Sequence, residues 1–343
     1  MTLPDPQSPR KVRRWGLVLP YAMAIILAAG WCAGWFWVRG QAERQMDAQR
    51  DRLVAAGYPI SWQGRRIDGF PFRLDLHLTG VRIGEPSGWG LAIPRLEAEA
   101  YAYSPDHWIM VAPEGVTFNR PNDGGVAVQA RGLRASLSHF GEYPPRLSVE
   151  GEDLAFTAAP GAKPYFITAA KAFNLHLRAG PNDMGAVYVG LDQANANLTG
   201  LMARIAQGKP IAITADALFT RAGQFQGRDW PSAVQGWSGA GGAFQVRQIT
   251  VAAGESILDA RSGALSVGPD GRLQGSLKAS LRQAPKALAA MSQSGAISRQ
   301  SAEGATSVAE EAQQGDAANL TLDFQDGQTT LGPVTVGPAP KVY

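Results

Sequence analysis

Four histidines and one cysteine are the side chains of this 343-residue chain best suited to metal binding or acid–base chemistry. None of His77, His107, His139 and His176 has a second histidine or an acidic residue at a convincing metal-ligand spacing. His77 and His176 fall at polar positions of alternating segments, which predicts structural roles at the surface. Asp106 and His107 precede the apolar run WIMVA and are predicted to form a turn, not an acid–base pair. We therefore expect no metal site and no cofactor.

The motifs of common catalytic sites are also missing from the sequence. There is no G-x-x-x-x-G-K-[ST] phosphate loop, no G-x-S-x-G and no H-E-x-x-H. The single cysteine, Cys32, cannot form an intrachain disulfide. Two glycosylation sequons, at Asn197 and Asn319, are short enough to match by chance and are discounted. The sequence predicts a protein that is not an enzyme, with an enzyme of unfamiliar type as the lesser alternative.

Composition indicates a folded, glycine-rich protein. Apolar residues make up 45% of the chain and charged residues 18%, which is enough for a real core. Glycine occurs 40 times, well above its usual share of about 7%, and favours sheets with many turns and bends. The net charge of +3 is carried entirely by residues 1–14, so the remainder sums to zero and no nucleic-acid partner is expected.

An uncharged segment, residues 15–38, predicts a membrane anchor. As a helix its 24 residues reach about 36 Å at about 1.5 Å per residue, which exceeds a hydrocarbon core of about 30 Å. The basic tail at 1–14 favours a cytoplasmic N-terminus. A cleaved signal peptide is the alternative, although its apolar region should be shorter. Four tryptophans near the two ends of the segment are the candidate interface anchors: Trp15, Trp31, Trp35 and Trp37.

The rest of the chain predicts a β-rich domain at 58–343. Residues 39–57 are charged and favour a juxtamembrane helix, with Ala42, Met46 and Leu53 on one stripe; it could be a stalk or could dock on the body. From residue 58 onward apolar and polar residues alternate in many segments, the pattern of antiparallel strands. Asp270-Gly271 and Asp326-Gly327 each separate two alternating runs and predict hairpins. The predicted fold is mainly β, a long curved antiparallel sheet with a few short helices and one N-terminal transmembrane helix.

Three segments within the body favour short helices: 198–209, 229–238 and 284–292. In the second and third, Pro231 and Pro285 stand where proline is favoured at a helix start. Residues 292–318 are poor in large apolar side chains and rich in Ser, Gln, Gly and Glu. They predict a flexible insert, with a loosely held helix as the alternative.

The stretch IDGFPFRLDLHLTGVRI, residues 67–83, is the clearest alternating segment. Its apolar row predicts either an ordinary core or an open groove for a lipid, and the sequence leaves both open. The apolar phase changes after Gly80, which predicts a bulge or bend there. The row consists of Phe72, Leu74, Leu76 and Leu78.

Several short motifs resemble one family. These are GFPFRLDL (69–76), WSGAGGAFQVRQITV (237–251), DGRLQGSLKASL (270–281) and the terminal LGPVTVGPAPKVY. With the N-terminal anchor they resemble a bacterial, mainly alphaproteobacterial, family of unknown function, domain of unknown function 2125, similar in style to AsmA-like envelope proteins. The resemblance implies a single-pass inner-membrane protein with a periplasmic β-rich domain, and a curved sheet whose apolar concave face handles lipid. It implies no catalytic residues.

The leading functional hypothesis is a non-enzymatic envelope protein that binds or transfers a lipid or other amphipath along an apolar concave face. The alternative is a scaffold or assembly subunit of an envelope complex. The expected partners are the membrane bilayer and either a bound lipid or an envelope protein.

Overall fold

A computed structural model describes residues 15–197, 206–283 and 317–343 except 333, together with the isolated positions 289, 300, 303–304, 306–307 and 313–314. Strand accounts for 54% of the structure and helix for 20%. Helix α1 is Trp15–Ala55, helix α2 is Trp230–Gly239, and a 3₁₀ turn lies at Ala222–Gln224. The predictions of helices at 198–209 and 284–292 and of a flexible insert at 292–318 lie largely outside the described residues.

The strands are β1 (Ile60–Ser61), β2 (Gly64–Asp68), β3 (Arg73–Gly84), β4 (Gly90–Tyr101), β5 (Ser104–Val111), β6 (Val116–Arg120), β7 (Gly124–Gln129), β8 (Arg134–Ser138), β9 (Arg146–Ala158), β10 (Ile167–Gly180), β11 (Met184–Ala196), β12 (Ile211–Thr220), β13 (Phe244–Ala253), β14 (Ser256–Val267), β15 (Leu273–Arg282), β16 (Gln313–Gln314), β17 (Ala317–Gln325), β18 (Gln328–Leu331) and β19 (Val334–Pro338).

The strands form a single antiparallel sheet in which most strands pair with a near neighbour along the chain, so the fold class is confirmed. β1 and β2 share one edge of β3, and the ladder continues to β19. β5 and β6 serve as two halves of one bent strand against β4, and β7 and β8 do the same against β9. Such an up-and-down order follows from hairpin connections between neighbours. Both Asp-Gly hairpins are confirmed, between β14 and β15 and between β17 and β18.

Left-handed backbone positions bend the strands. Gly80 in β3 has φ +60°, a conformation that glycine adopts without the steric penalty of a Cβ. On its two sides Leu78 pairs with Leu96 and Val81 pairs with Ile93, and all four side chains join one hydrophobic cluster. The phase of the buried residues changes at Gly80 as predicted, at a left-handed residue and without a bulge, because the pairing with β4 keeps its register.

Helix α2 begins where the sequence predicted. Asp229 is the N-cap: its side chain accepts a hydrogen bond from the Ser232 amide at 2.8 Å, and the Ser232 side chain accepts one from the Asp229 amide at 3.1 Å. Pro231 lies in the first turn. Trp237 on this helix is fully buried, and its indole donates to the Thr220 carbonyl at 2.7 Å. This helix covers one end of the sheet.

Helix α1 runs without a break from the apolar segment into the charged segment. Val38, Ala42 and Met46 pack against the cluster formed by β2, β3 and β4, whereas Leu53 is exposed. Arg65 of β2 donates to both carboxylate oxygens of Asp47 at 2.8 and 3.1 Å. The juxtamembrane part of the chain is therefore docked on the body.

Candidate functional site

Apolar side chains line up across the middle of the sheet. Val149 of β9, Leu175 of β10, Val189 of β11, Ala215 of β12 and Ile249 of β13 are successive cross-strand partners. Each is partly exposed. Because cross-strand partners project from the same face, these five side chains form one continuous apolar row.

Two further apolar rows flank this one on the same face, two residues away along each strand. One consists of Leu147, Leu177, Val187 and Ala217, and the other of Phe173, Leu191, Ile213 and Val251. With strands about 4.8 Å apart and residues about 3.3 Å apart, the three rows cover roughly 19 by 13 Å. We call these thirteen residues the central apolar face.

Four buried clusters surround the central apolar face. One lies under helix α1, a second at the strand ends around Leu154 and Ile211, a third under helix α2, and a fourth across β13 to β18. Val149, Leu175, Val189 and Ala215 belong to none of them. Among the described residues the middle of the face stays partly exposed, while members of the two flanking rows pack against the second and third clusters: Phe173, Leu191, Leu177 and Val187.

The opposite face of the same strands is polar. His176 lies within 3.0 Å of the Ser148 hydroxyl through its Nδ1 atom, and its ring stacks on Tyr188 at 5.8 Å between centroids. Tyr188 in turn pairs across the ladder with Asp216. The two faces of β9 to β12 therefore differ in chemistry, as expected of a sheet with one solvated side.

The predicted row in β3 divides into two parts. Leu74, Leu76 and Leu78 are buried, at 0%, 7% and 6% exposure, in the cluster that contains Trp35 and the docked part of α1. Phe72, just before the strand, is 60% exposed. The three leucines therefore act as core beneath a helix, and Phe72 lies outside that core.

The predicted interface tryptophans have different surroundings. Trp35 is buried and its indole donates to the Arg73 carbonyl at 2.8 Å, while Trp31 and Trp37 are exposed. Trp15 is the first residue of α1, and its side chain lies outside the described residues. Among described helices, α1 is long and apolar enough to cross a bilayer.

The candidate metal-binding residues form no cluster in the part of the chain that the structure describes. Within the described parts of the chain, no group of three His, Cys, Asp or Glu side chains could hold a metal ion. The turn predicted at Asp106 and His107 is wrong: both lie in β5, and the turn is at Ala102 and Tyr103. The Ser104 hydroxyl donates to Asp106 at 2.8 Å, and this bond lowers the pKa of the Asp106 carboxyl.

Residues 35–340 match the model of a family described as an uncharacterized protein conserved in bacteria, DUF2125. The chain belongs to this family. No curated protein and no solved structure matches it. The DUF2125 region begins at Trp35, so it includes the docked half of α1 together with the whole sheet. The likeness to AsmA-like proteins and the alphaproteobacterial origin stay predictions.

The sequence predicted the strands of the central apolar face but not the face itself. Residues 171–178 and 186–192 alternate clearly, as β10 and β11 require. Leu74 and Leu175 nevertheless follow the same pattern, and among the described helices one covers Leu74 and none is seen to cover Leu175. Alternation identifies which face is apolar, whereas the cover depends on contacts between distant parts of the chain.

Proposed function

We propose that this DUF2125 protein is a membrane-anchored, non-enzymatic envelope protein that binds a lipid or other amphipath on its central apolar face. The observation that carries the proposal is the set of three apolar rows in register across β9 to β13, of which the middle row is partly exposed and the flanking rows run into buried clusters. A continuous apolar row that stays partly exposed beside buried clusters is a candidate site for an apolar ligand or partner.

The dimensions and energetics suit an acyl chain. A face of roughly 19 by 13 Å accommodates an extended hydrocarbon segment laid across the strands. Fully covering a Val or Leu side chain contributes about 1.5–3 kcal/mol relative to exposure. Since these side chains are already partly buried, each adds only a part of that, and the several rows together support reversible binding. Backbone groups of the face are engaged in the ladders and do not compete for the ligand.

The proposed location is the bacterial inner membrane, with the N-terminus in the cytoplasm and the sheet in the periplasm. The support is the apolar helix, the basic residues before it in the sequence, and a family found in bacteria.

The test is site-specific photo-crosslinking of the full-length protein in bacterial membranes. Benzoylphenylalanine replaces Val189, and in a matched variant it replaces Tyr188, the adjacent residue on the polar face. Leu175 and its neighbour His176 give a second matched pair. Circular dichroism establishes that each variant is folded before irradiation, and intact-mass spectrometry identifies the adducts.

We expect lipid adducts at positions 189 and 175 and few at 188 and 176. Equal labelling of both faces, or no lipid adduct at 189 and 175, would contradict the proposal. A cross-link from 189 to residues 284–316 of the same chain would mean that the protein covers its own apolar face. A cross-link from 189 to another protein would instead support the scaffold hypothesis.

A further inference from the structure

A loop of the body lies against the apolar part of helix α1. The indole of Trp31 donates to the Pro71 carbonyl at 2.9 Å, and the ring of Trp31 lies 6.0 Å from that of Phe72. Phe70 packs on Trp35 with ring centroids 5.4 Å apart. The loop at 69–72 therefore contacts the last turns of the segment predicted to cross the membrane, not the charged segment that follows it.

The depth of this contact follows from helix geometry. Arg39 is the first charged residue after the apolar segment, and Trp31 precedes it by eight residues. At about 1.5 Å per residue, Trp31 lies about 12 Å to the membrane side of Arg39, and Trp35 about 6 Å. A hydrocarbon core of about 30 Å uses about 20 of the 24 uncharged residues. The contact with Trp35 therefore lies near the edge of the hydrocarbon core that is farther from the N-terminus, and the contact with Trp31 lies just inside that edge.

The exposed surface beside this loop is aromatic. Next to Phe72, a tyrosine ends β4 and another lies in the turn before β5, and the Ala102 amide of that turn donates to the Phe72 carbonyl at 2.9 Å. Tyr101 and Tyr103 stack with centroids 5.1 Å apart. The exposed rings joined through these contacts are Trp31, Phe36, Phe70, Phe72, Tyr101 and Tyr103, and we call them the aromatic patch.

Several backbone carbonyls of the loop already have partners inside the protein. The Gly69 carbonyl accepts from the Arg73 amide at 2.8 Å, and the carbonyls at 71, 72 and 73 accept from Trp31, Ala102 and Trp35. Pro71 has no amide hydrogen to satisfy. Carbonyls bonded in this way lower the cost of placing the loop where water is scarce, and aromatic rings favour the membrane–water interface.

We infer that the aromatic patch is a membrane-contact surface, which seats the body in the interface of the same bilayer that α1 crosses. The occupant is the phospholipid interface, because the patch is continuous with the membrane-spanning helix through Trp31, Trp35 and Phe36. The inference rests on the membrane anchor of the proposed function. It does not rest on lipid binding at the central apolar face.

The test measures the depth of spin labels in the full-length protein, reconstituted in vesicles of phosphatidylethanolamine and phosphatidylglycerol. Cys32→Ser removes the native thiol. Phe72→Cys and Tyr103→Cys then place a nitroxide in the patch. Phe166→Cys, also exposed but at the opposite ends of the strands, is the matched control, and Ile26→Cys reports on α1 itself. Power-saturation electron paramagnetic resonance compares collisions with oxygen, which partitions into lipid, and with a nickel chelate, which stays in water.

We expect labels at 72 and 103 to collide several-fold more with oxygen, relative to the nickel chelate, than the label at 166. If the labels at 72 and 103 show the same collision ratio as the label at 166 while the label at 26 is lipid-exposed, the membrane-contact surface is refuted and the anchor stands. If 26 also resembles 166, the anchor and the contact surface both fail. Protection of 72 and 103 from both reagents would indicate burial against protein and would overturn the inference. Because all the labelled positions are exposed, the substitutions should leave the fold intact, which thermal melts check.

Discussion

Replacing Leu74 with alanine measures how tightly helix α1 covers the first strands. Leu74 is fully buried in the cluster that includes Trp35, with the stripe of α1 packed against it. The substitution removes three buried carbon atoms, which lowers the hydrophobic contribution to the free energy of unfolding by about 2.4 kcal/mol at about 0.8 kcal/mol per methylene. Incomplete collapse of the site raises the expected loss to about 2.5–5 kcal/mol.

Leu91→Ala is the matched control, since the same side chain lies in the adjacent strand β4 but is 40% exposed. We expect it to lose about 1 kcal/mol or less, because much of its area is in contact with solvent before the change. The assay is urea unfolding of the full-length protein in detergent, followed by far-ultraviolet circular dichroism. Losses of similar size for the two variants would refute a closed core beneath α1 and would reopen the interpretation of the β3 row as a groove.

Three further predictions concern the helix dock, the strand bend and helix α2. The hydrogen bonds from Arg65 hold the pKa of Asp47 below its usual value. The stability that this pair adds is therefore present above the unfolded pKa of Asp47 and is lost as pH falls through its folded pKa. The urea midpoints of wild type and Asp47→Asn should converge in acid, and a constant difference between them down to low pH would contradict this. Gly80→Ala forces a Cβ into a left-handed conformation and should lower the free energy of unfolding by about 1–2 kcal/mol. Gly132→Ala, with open space around it, is the control and should change the urea midpoint little. Equal shifts of the midpoint in the two variants would contradict strain at Gly80. Trp237→Ala, at a fully buried site, should lose about 3–5 kcal/mol, and a thermal melt within a few degrees of wild type would show that α2 does not stabilise the sheet.

The sequence was informative wherever the physics is local. Alternation in residues 73–84 depends on the two-residue period of a strand, and Asp326-Gly327 depends on turn geometry. Asp229 and Pro231 similarly predict the start of α2, because capping involves neighbours within one turn.

The sequence was uninformative where the element that packs over an apolar face comes from a distant part of the chain. Ala42 and Met46 fall on one stripe of α1, but the stripe alone does not say whether it faces water or β3. Leu53, on the same predicted stripe, is exposed because the helix extends past the cluster. The central apolar face had the same ambiguity, since no periodic signal distinguishes Val189 from Leu76.

The contacts of α1 also set the direction in which the sheet extends. From Trp35 to Asp47 the helix rises about 18 Å, and over that length its contacts move along β3 from Arg73 to Leu78, the partner of Arg65, about 17 Å. Helix α1 and strand β3 therefore run side by side, and each strand after β3 extends the sheet sideways, across the direction of the helix axis. With α1 across a bilayer, the sheet next to the helix spreads parallel to the membrane surface, and strand length limits its height, about 46 Å for the 14 residues of β10.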